Sequence, residues 1–273
     1  MNKMTKAPVS GFANSDLCSR AAHGVAVTLD GSRAEIAWHL PEEVPVAIQI
    51  NSEPFTVMMA TPADLSDFAV GFALAEGLIA DPAKINGVLQ MPVDGGITID
   101  IAVGEDALDR SRLARRTIEG RSGCGLCGVE DIASAVRPLR PVERDWTPDV
   151  SAILKAAEAL SAHQPMNRLN RTVHGAAWVS RAGDIVIARE DVGRHNALDK
   201  LIGALARAGA DRGNGFVLIT SRCSYELVQK CVTSGIGALV TVSAPTALAH
   251  DLAKKSNLYL ASLGAGGVVV FNS

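Results

Sequence analysis

The chain has 273 residues, 48% hydrophobic and 20% charged, with a net charge of −3. That balance supplies a core for one large domain or two small ones and excludes a chain disordered throughout. A charge this close to zero, with 4% aromatics, argues against a nucleic-acid binder that relies on bulk positive charge or stacking platforms. No apolar run is long enough to span a membrane.

Residues 1–22 are polar and aperiodic and read as a flexible leader. Short strands are expected at Val25–Leu29, Ala34–Trp38, Val46–Asn51 and Phe55–Ala60. Thr61-Pro62-Ala63-Asp64 reads as a helix start, with Thr61 capping and Pro62 in the first helical position. Leu65, Phe68, Ala69 and Phe72 follow at helical spacing. Ile97, Ile99, Ile101 and Val103 alternate with Thr98, Asp100 and Ala102, the pattern of a half-buried strand. From Arg110 to Arg144 there are eight arginines against four acids, Glu119, Glu130, Asp131 and Glu143.

A helix opens again at Thr147-Pro148-Asp149. Strands at Ala176–Ser180 and Ile185–Arg189 then lead to a helix from Arg194 to Ala208. The strand Phe216–Thr220 and the helix Ser224–Ser234 follow, then the strand Ala238–Ser243 and the helix Thr246–Lys255. Two closing strands, Leu258–Ser262 and Val268–Phe271, flank a glycine-rich turn. Strands separated by helices predict an α/β layer fold with a largely parallel core. The prolines near Arg140–Thr147 mark the expected joint, giving a β-rich α+β part over 23–145 and an α/β core over 146–273.

Five cysteines, an odd number in a long chain, predict reduced thiols and a cytoplasmic protein rather than a disulfide scaffold. Two of them lie in Gly123-Cys124-Gly125-Leu126-Cys127-Gly128. Glycine fills no core volume, so this C-x-x-C suits an accessible job: holding a metal, cycling by redox or carrying sulfur. Zinc would need two further ligands at a recognisable spacing, and none is evident. A redox dithiol of the thioredoxin kind belongs near a first strand, not deep in the chain. Sulfur carriage needs a thiolate, which the neighbouring arginines 115, 116 and 121 would favour. Cys223 and Cys231 read as small packed thiols.

Three stretches, in order, resemble the formate dehydrogenase accessory sulfurtransferases, the FdhD/NarQ family. They are Val44–Asn51 running through Thr61–Leu65 to Gly71-Phe72 and Glu76-Gly77; then Ser122–Gly128; then Glu190-Asp191-Val192-Gly193-Arg194-His195-Asn196-Ala197-Leu198-Asp199-Lys200. The last continues to Thr220-Ser221-Arg222, Ser224, Glu226, Lys230 and Ser243-Ala244-Pro245-Thr246. The family usually has Thr-Gly-Gly before the histidine of Asn170-Arg171-Thr172-Val173-His174, and an arginine where this chain reads Leu263-Gly264-Ala265-Gly266-Gly267-Val268.

The resemblance implies a cytidine-deaminase-like core of mixed and parallel strands, with an added N-terminal β-rich part, in a homodimer. It implies a sulfurtransferase that takes persulfide sulfur from a cysteine desulfurase. The sulfur passes to the molybdenum cofactor, bis-molybdopterin guanine dinucleotide, which a formate dehydrogenase requires; a non-catalytic chaperone for that cofactor is the alternative. Cys124 would carry the persulfide and Cys127 assist. The cofactor would be a bound substrate, with no permanent metal, held by Leu263–Val268, Arg194, His195, Ser221 and Arg222. Read from the residues alone, two alternatives stand: either Asp191 or Asn196 caps a helix and Asp199 is simply exposed, or Arg194 and His195 lie near an anionic ligand at the carboxyl ends of strands.

Overall fold

The computed structural model describes residues 18–109, 139–264 and 266–273. The chain is a mixed α/β protein. Among the described residues, strands β1 (Ser19–Val27) and β2 (Arg33–Pro41) pair only with each other, as an antiparallel ribbon. Of the leader expected over 1–22, residues 1–17 lie outside the described residues, and Ser19 onward belongs to strand β1.

Strands β3 (Val44–Ile50), β4 (Glu53–Ala60), β5 (Ile85–Val93) and β6 (Gly96–Val103) form a four-stranded sheet in the order β4-β3-β6-β5. Its inner face, with Val46, Ile48, Met58, Ile97, Ile99 and Ile101 buried, lies in one core with helix α1 (Leu65–Ala75). That helix is buried nearly all round, as a helix apolar on every side should be.

The six-stranded sheet runs β12-β11-β10-β9-β7-β8. Its strands are β7 (His174–Ser180), β8 (Ile185–Asp191), β9 (Gly215–Cys223), β10 (Ala238–Pro245), β11 (Tyr259–Gly264) and β12 (Gly267–Asn272). β9, β10 and β11 are parallel, with an antiparallel hairpin β7–β8 on one flank and antiparallel β12 on the other. The helices are α2 (Val150–Ala159), α3 (Pro165–Asn170), α4 (Arg194–Arg207), α5 (Tyr225–Thr233) and α6 (Ala247–Lys255). One apolar cluster joins α1 and the four-stranded sheet to α4, α5 and one face of the six-stranded sheet. A second cluster, centred on α2, covers the other face.

α1 and α4 cross at two glycines. A Cβ at Gly71 would lie 1.7 Å from the Asp199 carbonyl oxygen, and one at Gly203 would lie 1.9 Å from that of Asp67. The two backbones touch, and only glycine permits it.

The expected cap at Thr61 is corrected. α1 starts at Leu65, behind Asp64, whose φ of 52° lies in the left-handed region. Thr61 is wholly buried and spans two layers instead. Its N–H donates to Asp191 Oδ2 at 3.0 Å, and its hydroxyl accepts from the Val192 N–H at 3.1 Å. Its carbonyl accepts from Lys200 Nζ at 3.0 Å. Strand β5 and helix α3 were not expected from the pattern. β5 is an edge strand interrupted by Gly87 and Pro92, and α3 is only six residues long.

Candidate functional site

The parallel run β9–β11 ends at Cys223, Pro245 and Gly264, so these ends lie on one edge of the sheet. β7 starts at that edge and β8 returns to it, since His174 pairs with Asp191 and the Gly175 N–H donates to Thr220 Oγ1 at 2.9 Å. The sequence-predicted Arg194, His195, Ser221, Arg222, Leu263, Gly264, Gly266, Gly267 and Val268 therefore all lie on or next to this one edge. Strands about 4.8 Å apart put the β9 and β11 ends about 10 Å from each other. Open α/β sheets place ligands at the carboxyl ends of their strands.

The segment from Glu190 to Lys200 turns out to be largely framework. The carboxylate of Glu190 accepts the N–H groups of Met166 and Asn167, at 2.9 and 2.8 Å, and so caps α3. Asp191 Oδ1 accepts from the Gly193 N–H and from Asn196 Nδ2. Its Oδ2 meets Lys200 Nζ at 2.6 Å, with both side chains fully buried. Asp199 is buried rather than exposed and holds Lys230 Nζ through both oxygens at 2.9 Å, while Glu76 meets the same ammonium at 3.1 Å. Three segments far apart in sequence, around Thr61–Glu76, Glu190–Lys200 and Lys230, are thus tied by buried charge.

What this framework presents at the edge is polar. His195 Nε2 lies 3.3 Å from Ser224 Oγ and 3.9 Å from Glu226 Oε2. Ser221 donates to the Arg222 carbonyl, and the Arg222 side chain is exposed. Arg194 Nε is buried and, among the described residues, has no acceptor; nor do Gln164 Nε2 and Asn170 Nδ2. All three surround the start of β7. Gln164 Nε2 would lie 2.3 Å from a Cβ on Gly175, Arg194 acts on His174 through its charge, and Asn170 Oδ1 accepts the Thr172 N–H. Buried donors without acceptors are costly. Three of them at one strand end fit a ligand rich in acceptor oxygens. Gln164 and Asn170 were not singled out from the sequence, where an uncharged amide carries no spacing signal.

Burial pushes the His195 pKa down to about 4, with Lys230 and Arg194 adding to it against Glu226 and Glu76. The imidazole is neutral near pH 7. Its unfolded counterpart, with a pKa near 6.5, takes up protons first as pH falls. Stability is therefore complete above about pH 6.5 and drains away toward pH 4, by on the order of 3 kcal/mol. His195→Asn is expected to flatten the pH dependence of the denaturant midpoint across that window. An unchanged slope would assign the acid sensitivity to other groups.

The described thiols are poor nucleophiles. Burial raises the pKa of Cys223 to about 12, that of Cys231 well above its ordinary value, and that of Cys18 to a lesser degree. Cys223 and Cys231 are the packed thiols expected. Cys124, Cys127 and Ala265 lie outside the described residues.

Fold and site together define a mixed α/β protein with a cluster of polar side chains at the carboxyl edge of its larger sheet. The chain belongs to the FdhD/NarQ family, whose model matches residues 41–269. It is 44% identical over 252 residues to a sulfur carrier protein FdhD of Chromobacterium violaceum, covering 90% of this chain and 93% of that one. It is also 44% identical to a Bordetella petrii protein of the same name, covering 80% and 79%. The crystal structure of a candidate formate dehydrogenase accessory protein from Desulfotalea psychrophila superposes with a TM-score of 0.72 at 25% identity. That superposition covers 94% of this chain and 97% of that one.

Proposed function

We propose that this chain is a cytoplasmic sulfurtransferase that serves a formate dehydrogenase. Cys124 attacks the outer sulfur of a cysteine desulfurase persulfide. The S–S bond of the donor breaks, the desulfurase leaves as a thiolate, and Cys124 becomes the persulfide, so no outside oxidant is consumed. Cys127 then attacks the Cys124 sulfur, the S–S bond of the persulfide breaks, and the outer sulfur leaves at the sulfide level for bis-molybdopterin guanine dinucleotide held as substrate at the carboxyl edge of the six-stranded sheet. The Cys124–Cys127 disulfide that remains is reopened by a thiol reductant. Arg194, Gln164 and Asn170 would donate to its phosphate or carbonyl oxygens. The backbone from Leu263 to Val268, with Ser221, Arg222 and neutral His195, would frame the rest.

The observation that carries this reading is the glycine-set thiol pair in a chain of this family whose relatives are named sulfur carriers. The raised pKa values of Cys18, Cys223 and Cys231 support it, since they leave the chemistry to Cys124 and Cys127. The sheet order, an antiparallel hairpin flanking a parallel run, supports a cytidine-deaminase-like core.

Incubation with a cysteine desulfurase and cysteine is expected to add one sulfur atom to a peptide containing Cys124, read by mass spectrometry. Cys124→Ala should lose the adduct and fail to mature the client enzyme. An adduct on Cys223 or Cys231 instead, or full maturation by Cys124→Ala, would sink the proposal; the second result would leave a cofactor chaperone.

A further inference from the structure

Strand β5 ends the four-stranded sheet, and among the described residues it pairs with β6 alone. An antiparallel ladder turns the N–H and C=O of every second residue away from the partner strand. The tight turn Asp94-Gly95 sets which ones, because Val93 and Gly96 close it as a bonded pair. Val93, Met91 and Leu89 then bond to β6, and Pro92, Gln90 and Val88 look outward. Pro92 loses no ladder bond on that side. Val88 and Gln90 leave two N–H and two C=O groups along an open edge, the template on which another chain adds a strand.

Beside this edge lies a groove of about 500 Å³, the size of a ligand cleft. Ile85, Gly87 and Val88 line it from β5, Val70 from α1, and Ala206 and Arg207 from α4. Gly87 leaves open space, with nothing within 4 Å of its Cβ position. Gln90 Nε2 donates to Ser66 Oγ at 2.8 Å and so ties β5 to α1 beside the groove. Val88 shares that face, so alternate side chains of an added strand would point into the groove.

Arg207 is the one charged side chain among the lining residues. It is 54% exposed and pairs with Asp67 Oδ1. Asp67 Oδ2 is already held by Arg189, through Nε at 2.8 Å and Nη2 at 2.7 Å. Arg189 has Asp64 at 3.6 Å as a second acid, whereas Arg207 has no other ion pair among the described residues. Arg207 thus shares its carboxylate and keeps N–H groups for another.

We propose that this edge and groove bind an extended segment of a partner protein as a fifth strand beside β5, with apolar side chains in the groove and an acidic side chain on Arg207. A fatty acid would fill the groove but leave the outward groups of Val88 and Gln90 unused. A basic segment would set its charge against Arg207.

The probe is a blocked eight-residue peptide of alternating valine and serine with one central glutamate, added at up to about 1 mM to the full-length chain. Amide hydrogen exchange, read by NMR, is expected to slow at least ten-fold at Val88 and Gln90 and to stay unchanged at Leu89, which already bonds to β6. Lysine in place of the glutamate should weaken binding about ten-fold. Methylating alternate backbone nitrogens of the peptide should abolish it. Arg207→Gln should erase the preference for glutamate over lysine. Ala83→Trp, which fills the groove from an exposed lining position, should weaken both peptides. Val57→Thr, exposed on β4 at the sheet's other end, should bind as wild type. Far-ultraviolet circular dichroism checks that each variant is folded. Unslowed exchange at Val88 and Gln90 with the peptide present would overturn the proposal, as would equal binding of the glutamate and lysine peptides. Slow exchange at both positions in the free protein would overturn it too, since residues 110–138 of the chain itself or a second copy would then already cover the edge.

Discussion

Alanine at Gly71 is expected to abolish the folded protein. The added methyl carbon would sit 1.7 Å from the Asp199 carbonyl oxygen and 2.6 Å from the Gly203 nitrogen, both backbone atoms of α4. A flexible side chain could turn away from such a contact, but a helix backbone cannot. To restore van der Waals distance, α1 and α4 would have to separate by about 1.5 Å or more, opening voids along a densely packed crossing. The displacement would also pull Glu76 from Lys230, Asp67 from Arg207 and Thr61 from Lys200, because these links run from the α1 side of the seam to the elements beyond it. The loss should exceed about 4 kcal/mol, above what most single substitutions cost. Gly203→Ala should behave alike, with its Cβ 1.9 Å from the Asp67 carbonyl oxygen. Gly87→Ala is the control: nothing lies within 4 Å of its Cβ position, and it should keep the wild-type denaturant midpoint. Normal thermal unfolding of soluble Gly71→Ala protein would show that the crossing is looser than described.

Much of the scaffold was legible in the sequence, and the reason is periodicity. The helices that became α4, α5 and α6 were placed to within about two residues, because each has a clear apolar stripe bounded by turn residues. The alternation Ile97–Val103 gave β6 directly. β5 was missed because an edge strand need not alternate cleanly, and Asn86, Gly87 and Pro92 break its pattern. The start of α1 was misread because Thr61-Pro62 satisfies every local rule for a cap. Tertiary bonds to Asp191, Val192 and Lys200 claim Thr61 instead. Local rules cannot see partners about 130 positions away. The same limit explains Asp199. An acid on a helix reads as solvent-facing until its Lys230 partner is placed beside it. Site residues with ionisable side chains, such as Arg194 and His195, stood out as candidates, whereas the amides of Gln164 and Asn170 became visible only as buried donors without acceptors among the described residues.

That buried Lys230 makes the second large prediction. Its ammonium sits between Asp199 and Glu76, with the Phe72 ring 5.6 Å away. Burial alone would lower its pKa, but the two carboxylates outweigh it and the net shift is upward. Lys230→Met keeps the volume and removes the charge. Asp199, with no exposure, and Glu76, nearly buried, would then face each other as two anions with their cation gone. Breaking a buried pair this way costs about 3–5 kcal/mol, because the stranded charge loses its compensation and cannot regain water. The sign with pH follows. In the variant at least one of these carboxylates has a folded pKa raised above its unfolded value. The variant is then best off at acidic pH, where the carboxylates are protonated, and the deficit against wild type grows as pH rises through the unfolded carboxylate range. Adding Asp199→Asn to Lys230→Met removes the stranded charge, so the double variant should be more stable than Lys230→Met alone, a coupling readable from a double-mutant cycle of urea midpoints. Strict additivity of the two substitutions would mean that Lys230 and Asp199 do not act as a pair, and the linkage that joins α1, α4 and α5 beneath the sheet edge would have to come from packing alone.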